Sequence, residues 1–210
     1  RNRTECTFGP KAVAVLPSTE FQRLQFIPRI DPFDRADGEP CYTLTADGYG
    51  DFLVRLFDLW FDDLRHGEYI SIRHLDNWLS ILLGERPEAC NMAGCCSVQF
   101  VVEGDGGVYP CDFYVFDEWR LGNIGETGLA DMQNSETAKR FVRQSLAVPE
   151  ECKTCQWFGL CRNGCRRDRD ILPNGVIGQN IYCTAYKKFF SERFRQLAQS
   201  IECIQRMQYR

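Results

Sequence analysis

Histidine is nearly absent from this chain, with His66 and His74 the only two. Imidazole is too scarce to be a major ligand, so any metal site must be built from other donors. No window approaches the roughly 18 consecutive apolar residues of a membrane span, so no membrane partner is expected. The opening Arg1-Asn2-Arg3-Thr4-Glu5 leads into no apolar run with a small-residue cleavage site. A secretory signal is therefore not expected, and the expected compartment is the reducing cytoplasm. The chain opens on Arg, not Met, which suits a fragment or a processed product. There is no basic excess either. Lys and Arg total 25 against 29 Asp and Glu, a net charge of −4, which argues against a nucleic-acid partner. Gly104-Asp105-Gly106-Gly107 lacks the Lys-Ser/Thr ending and the following helix of a phosphate loop, and reads as a turn.

What is present is an ordinary globular composition over 210 residues, 44% hydrophobic and 26% charged, enough to bury a sizeable core. The exception is cysteine, of which there are 12. In a reducing compartment such cysteines are more often metal ligands than disulfides.

The patterning is mixed helix and strand, with no internal repeat and no low-complexity tract. Ala12 to Leu16 is a short apolar run closed by Pro17, and Phe21 to Pro28 reads as a strand. Thr45 or Asp47 is placed to cap a helix over 47–66, in which Phe52, Leu53, Leu56, Phe57, Trp60 and Leu64 recur at helical spacing. Residues 69–72 read as a short strand, and Leu75, Trp78, Leu79 and Leu82 as a second helical face ended by Gly84 and Pro87. Ser97 to Glu103, the Gly-rich turn and Val108 to Cys111 read as a hairpin. A short helix is expected over 135–146, capped by Asn134 or Ser135. A final helix over 185–208 carries Phe189, Phe190, Phe194, Leu197 and Ile201 on one side. Residues 150–183 have little apolar surface, so they are expected to need an inorganic centre to hold them.

That segment contains Cys152-x2-Cys155-x5-Cys161-x3-Cys165, followed by Cys183. Upstream stand Cys90-x5-Cys96 and Cys111, with Gly106 between the last two. Eight thiolates in two groups fit two four-thiolate iron–sulfur clusters, since soft sulfur ligands suit iron and sulfide. In some two-cluster proteins the last Cys of a tight run ligates the other cluster, and Cys165 is the candidate here. Spacing alone leaves a pair of zinc sites and disulfides as alternatives. Cys6, Cys41, Cys95 and Cys203 fall outside the pattern and read as buried or idle thiols. Arg162, Arg166, Arg167 and Arg169 cluster but interleave with Asp168 and Asp170, and Arg166-Arg167 reads first as a solvated face. Charge balance for a thiolate-ligated cluster, or a partner site, is the other reading of Arg166 and Arg167. Trp119, Trp157, Phe158 and Tyr182 stand near the cysteines and suit either cluster shielding or ordinary packing.

Cys-x9-Gly-x4-Cys, then Cys-x2-Cys-x5-Cys-x3-Cys, then a lone Cys, resembles the SPASM domain of radical SAM enzymes. CSVQFVVEGDGGVYPCDFYVFDEWRLGNI and CKTCQWFGLCRNGCRRDRD are similar to anaerobic sulfatase-maturating enzymes. The resemblance runs from about Leu24, at LQFIPRIDP, to about Phe190. It implies an α+β chain: the end of a partial (β/α) radical SAM barrel and a connecting helix over 1–86, a cluster-stapled SPASM domain over 87–190, and a C-terminal helix over 191–210. It also implies two auxiliary [4Fe–4S] clusters, one held by Cys90, Cys96, Cys111 and Cys165, the other by Cys152, Cys155, Cys161 and Cys183.

Members of that family oxidise a Cys or Ser of a sulfatase to Cα-formylglycine. Their barrel binds S-adenosylmethionine and a third [4Fe–4S] cluster, and a 5′-deoxyadenosyl radical takes hydrogen from the substrate Cβ. Asp112, in YPCDFYV, matches the family position proposed as general base. Read by itself, it is an Asp that caps a turn. The resemblance further implies a sulfatase polypeptide as substrate and an electron donor or acceptor such as a ferredoxin or flavodoxin. The chain lacks the family's Cys-x3-Cys-x2-Cys motif. Cys161-x3-Cys165 begins like it, but position 168 is Asp. The chain is therefore expected to be inactive alone, as the electron-transfer and substrate-facing half of such an enzyme. The alternatives are a stand-alone electron-transfer or peptide-binding module, a zinc-bound structural domain, and a SPASM enzyme modifying another peptide.

Overall fold

The computed structural model describes residues 23–33, 41–171 and 177–208. The chain divides into two compact units: Arg1–Pro87 with Ile181–Arg210, and Glu88–Asn180. The architecture is α+β, with small sheets, helices and no closed barrel among the described residues.

In the first unit β1 (Arg23–Leu24) runs parallel to β2 (Ser71–Ile72), pairing Arg23 with Ser71 and Leu24 with Ile72. The crossover between them is α1 (Ala46–Arg65), so the segment is a βαβ unit. Thr45 begins α1, its hydroxyl accepting from the Gly48 N–H at 3.1 Å. Gly67, at φ 89°, follows its end. Of the strand expected over 21–28, only Arg23–Leu24 pairs; residues 21 and 22 lie outside the described residues, as do the 12–16 run and Cys6.

α2 (Arg73–Leu82) and the long α7 (Cys183–Gln208) complete this unit. Its core is aromatic. Trp78 stacks on Phe189 at 4.7 Å and meets Phe190 edge-on at 5.0 Å, while Phe57 meets Phe189 edge-on at 5.6 Å. Each such side chain contributes roughly 1.5–3 kcal/mol by burial. Arg193 forks onto Asp58, tying α7 to α1 at 2.6 and 2.9 Å. His74 is half-buried, edge-on to Trp78 at 5.3 Å. Burial, helped by Arg73, holds it neutral by lowering its pKa to about 4. The expected domain boundary at 190/191 falls within α7, which is one unbroken helix.

The second unit is built on a three-stranded antiparallel sheet of β3 (Val101–Val102), β4 (Gly107–Tyr109) and β5 (Gly122–Asn123). The hairpin is thus shorter than expected, and its third strand was hidden in a two-residue segment with no alternation to read. Phe100, at φ 53°, leaves strand geometry just before β3. α3 (Leu129–Asn134) leads into α4 (Glu136–Ser145), where the Ser135 hydroxyl accepts from Ala138 N–H at 3.1 Å. Val108, Leu121, Met132 and Ala138 form one buried cluster, with Val98 and Phe100 packed on it. The cysteine-rich stretch folds as α5 (Glu150–Lys153), α6 (Phe158–Cys161), a 3-10 turn over Arg166–Asp168, and the antiparallel pair β6 (Arg169–Ile171) and β7 (Ile177–Asn180).

Candidate metal centre

A second apolar cluster of Tyr114, Trp119 and Phe141 forms a floor on which Cys96 and Cys111 pack. The three rings meet edge-on, at 5.2–6.3 Å between centroids. Cys90 lies on a 3-10 turn, Cys90–Met92. The Cys96 N–H donates to Ser145 Oγ at 2.8 Å, and that hydroxyl donates to Val142 O at 2.6 Å. Cys165 Sγ accepts from the Arg167 N–H at 3.4 Å.

Cys165 lies within electrostatic reach of Cys90, Cys96 and Cys111, and Cys96 of Cys90. Burial pushes Cys96 up, and Cys90 pushes it further, against the pull of Ser145, Arg166 and Arg169. Burial raises Cys111 to about 12, with Asp112 and Cys165 adding to the rise. Burial raises Cys165 to about 12 as well, with Asp168, Cys96 and Cys90 adding to it. Without a metal the buried thiols therefore keep their protons at neutral pH. A bound cation reverses this balance, because the thiolate is the ligand and binding releases the proton. Cys95 adjoins Cys96 but takes no part in this set, and all described cysteines are free thiols.

Among the described residues no three His, Cys, Asp or Glu side chains stand close enough to hold a single metal ion. A zinc ion needs its thiolates about 2.3 Å from one centre, so it needs a tight convergence. A cubane spaces its thiolates more widely, because four irons lie between them, and a donor set of soft thiols that interact electrostatically suits it chemically.

The segment 161–165 is held by an unusual backbone. Arg162, Asn163 and Gly164 have φ of 50°, 63° and 61°, three left-handed residues in succession. Arg162 and Asn163 cost about 1–3 kcal/mol each in strain, so their surroundings must hold them. Asn163 Oδ1 accepts from Asn180 N–H at 2.9 Å, and its Nδ2 donates to Gly178 O at 3.1 Å. A Cβ on Gly164 would lie 2.3 Å from Asn180 Nδ2, and one on Gly94 would lie 2.9 Å from the Arg162 Cβ. Gly164→Ala should therefore destabilise this unit by at least about 2 kcal/mol, read as a lowered Tm. An unchanged Tm would show that the loop has room to relax.

Arg166 corrects the expectation of a solvated face for Arg166-Arg167, while Arg167 is half-buried. Arg166 and Arg169 are buried, at 9% and 4% exposure. Arg166 donates to Phe141 O at 3.0 Å and to Gln144 Oε1 at 2.8 Å, and it lies over the rings of Tyr114, Trp119 and Phe141. Arg169 donates to the carbonyls of Asn163, Ser145, Gly94 and Gly164 at 2.6–3.2 Å. Their sequence signal was three arginines in the four residues after Cys165, in a stretch with little else to bury. Ser145 had no such signal, since it ends a helix 49 residues from Cys96.

The second cysteine group is placed less completely. Cys152 lies on α5, Cys155 at the turn after it, and Cys161 at the end of α6. The Cys155 N–H donates to Cys152 O at 3.2 Å, and the Cys161 N–H to Trp157 O at 2.9 Å, so successive turns set their spacing. Cys183 opens α7 in the other unit. Asp112 is exposed and begins a 3-10 turn, Asp112–Tyr114. Its Oδ1 accepts from the Phe113 N–H at 3.1 Å and from Cys111 Sγ at 3.3 Å. Trp119 is buried over Arg140 and Arg166, and Tyr182 is buried in the first unit.

Residues 90–156 match the SPASM family, an iron–sulfur cluster-binding domain. By class, this stretch of the second unit is similar to an iron–sulfur cluster-binding module. Over 179 residues, 85% of the chain, the sequence is 46% identical to a cysteine-type anaerobic sulfatase-maturating enzyme of Clostridium novyi, covering 48% of that protein. It is 32% identical over 151 residues to a serine-type anaerobic sulfatase-maturating enzyme of Bacteroides thetaiotaomicron, covering 36% of it. A solved structure of native anSMEcpe with bound AdoMet and Cp18Cys peptide superposes with a TM-score of 0.84 at 43% identity, over 90% of this chain and 52% of that one. The chain is thus similar to the C-terminal part of the anaerobic sulfatase-maturating enzymes, and it spans about half the length of the curated relatives it matches. No helix among the described residues is long and apolar enough to cross a membrane.

Proposed function

We propose that this chain is the electron-transferring and substrate-facing part of an anaerobic sulfatase-maturating radical SAM enzyme that converts a sulfatase side chain to formylglycine. The higher identity to the cysteine-type relatives, 44–46% against 28–32% for the serine-type, favours a cysteine substrate. The observation that carries the reading is the set of four thiols, Cys90, Cys96, Cys111 and Cys165, gathered around an aromatic floor and two buried arginines.

In this reading those four thiolates hold one [4Fe–4S] cluster, and Cys152, Cys155, Cys161 and Cys183 hold the other. Such clusters supply one-electron transfer. The chain's own groups do the rest. Tyr114, Trp119 and Phe141 exclude water from one side of the thiol set. The Asp112 carboxylate, fixed by the Phe113 N–H, accepts the proton of the substrate's thiol. In the same reading S-adenosylmethionine and a third cluster belong to polypeptide outside these 210 residues, since the chain carries no Cys-x3-Cys-x2-Cys run. A sulfatase polypeptide is the expected substrate, a ferredoxin or flavodoxin the electron partner, and a reducing cytoplasm the compartment in which the free thiols persist.

The test is elemental. Purified without oxygen, the chain should carry about eight iron and eight sulfide, with [4Fe–4S] signals in the electron paramagnetic resonance spectrum after reduction. Stoichiometric zinc without iron would overturn the reading and leave a structural thiolate protein.

A further inference from the structure

Buried guanidinium groups normally face carboxylates, because an unpaired buried charge is costly. Arg166 and Arg169 do not. Their hydrogen-bond partners are five backbone carbonyls and one amide oxygen, all neutral. Among the described residues neither forms an ion pair within 4.0 Å, although ion pairs hold Arg120 and Arg193 elsewhere. Asp168 follows Arg167 and precedes Arg169 and feels both of their charges, but it bonds to neither guanidinium.

The other ionisable groups that interact with Arg169 are Cys96, Cys165 and Tyr114, with Arg166 as its neighbour of like charge. Arg166 in turn interacts with Cys96 and Tyr114. Arg166 also lies over the Tyr114, Trp119 and Phe141 rings on which Cys96 and Cys111 pack, and Arg169 bonds to Ser145 O beside it, so both fixed positive charges stand near the thiol set. Four thiolates outweigh the positive charge of a cubane core, so the loaded site is a net anion, and it gains a further negative charge on reduction.

We propose that Arg166 and Arg169 are the fixed counter-charge of the cluster held by Cys90, Cys96, Cys111 and Cys165, and that they raise its reduction potential by stabilising the reduced form. The inference rests on the iron–sulfur reading above. It assigns these residues a tuning role, since they act on the cluster through space and touch no substrate. Arg169 has a structural duty as well, because it joins the carbonyls of Gly94, Ser145, Asn163 and Gly164. Arg166 is the cleaner probe, with only Phe141 O and Gln144 to lose.

The experiment is iron analysis and a potentiometric titration, followed by electron paramagnetic resonance, of the chain with Arg166→Gln and Arg166→Lys. Iron in the unaltered chain tests the iron–sulfur reading by itself, and the variants then test the counter-charge. Arg166→Gln should keep its iron, and one of its two clusters should lower its potential. The reduced-to-oxidised ratio at the unaltered midpoint should drop by about tenfold, which is 59 mV for a one-electron couple. Arg166→Lys, which retains the charge, should restore the potential. Unchanged potentials in Arg166→Gln, or equal falls in both variants, would overturn the proposal. If Arg166→Gln loses iron, the lysine variant decides: retained iron and potential support a charge effect, and lost iron overturns it.

Discussion

Cys165→Ala is expected to remove about four of about eight irons and leave the other cluster's signal intact. Position in the sequence suggests the opposite company for this residue, because Cys165 closes the tight run that begins at Cys152. The backbone turns sharply just before it. Three left-handed residues turn the chain between Cys161 and Cys165, so the two thiols, four residues apart, need not share a centre. Cys165 responds to Cys96 and Cys90, and Cys111 responds to Cys165. Pairing the variants makes the partition readable. Cys111→Ala with Cys165→Ala should lose no more iron than either alone, whereas Cys165→Ala with Cys152→Ala should lose nearly all of it. Loss of all iron from the first pair, with half retained by the second, would reverse the assignment. The surviving cluster's spectrum guards against general unfolding, since binding of such a centre is coupled to folding.

Much of this was legible in the sequence where a local rule governs. Helical spacing and a capping Thr45 defined α1, and the same logic with Ser135 defined α4. The cysteine spacing singled out eight thiols as candidate ligands. What sequence could not carry was set by contacts between distant segments. β5 is two residues long, so it has no period to detect. The 97–100 stretch alternates like a strand, but Phe100 takes a positive φ and packs on the Val108 cluster. Arg166 was the main misreading. Interleaved charges usually mark a solvated face. Here a segment poor in apolar side chains wraps around Arg169, whose fork reaches carbonyls at 94, 145, 163 and 164. Composition cannot distinguish a guanidinium that faces water from one that ties loops together.

Asp112→Asn carries the largest expected effect on chemistry. In a polypeptide of the relatives' full length, it should leave iron content and S-adenosylmethionine cleavage in place while formylglycine yield falls by about 100-fold or more, the range for loss of a general base. The amide keeps the carboxylate's shape, and its oxygen can still accept from the Phe113 N–H, so the turn at Asp112–Tyr114 survives. What it loses is basicity. The surroundings suit a base that meets a substrate. Asp112 is exposed, its Oδ1 is occupied by Phe113 N–H and Cys111 Sγ, and Oδ2 takes no bond from a described residue. Proximity to Cys111 supplies the competing explanation, that Asp112 acts by stabilising a ligand loop. The two readings separate in one measurement. A base variant keeps its iron and its cluster potentials and loses product, whereas a loop variant loses iron first. Normal formylglycine yield from Asp112→Asn would remove the residue from the chemistry altogether.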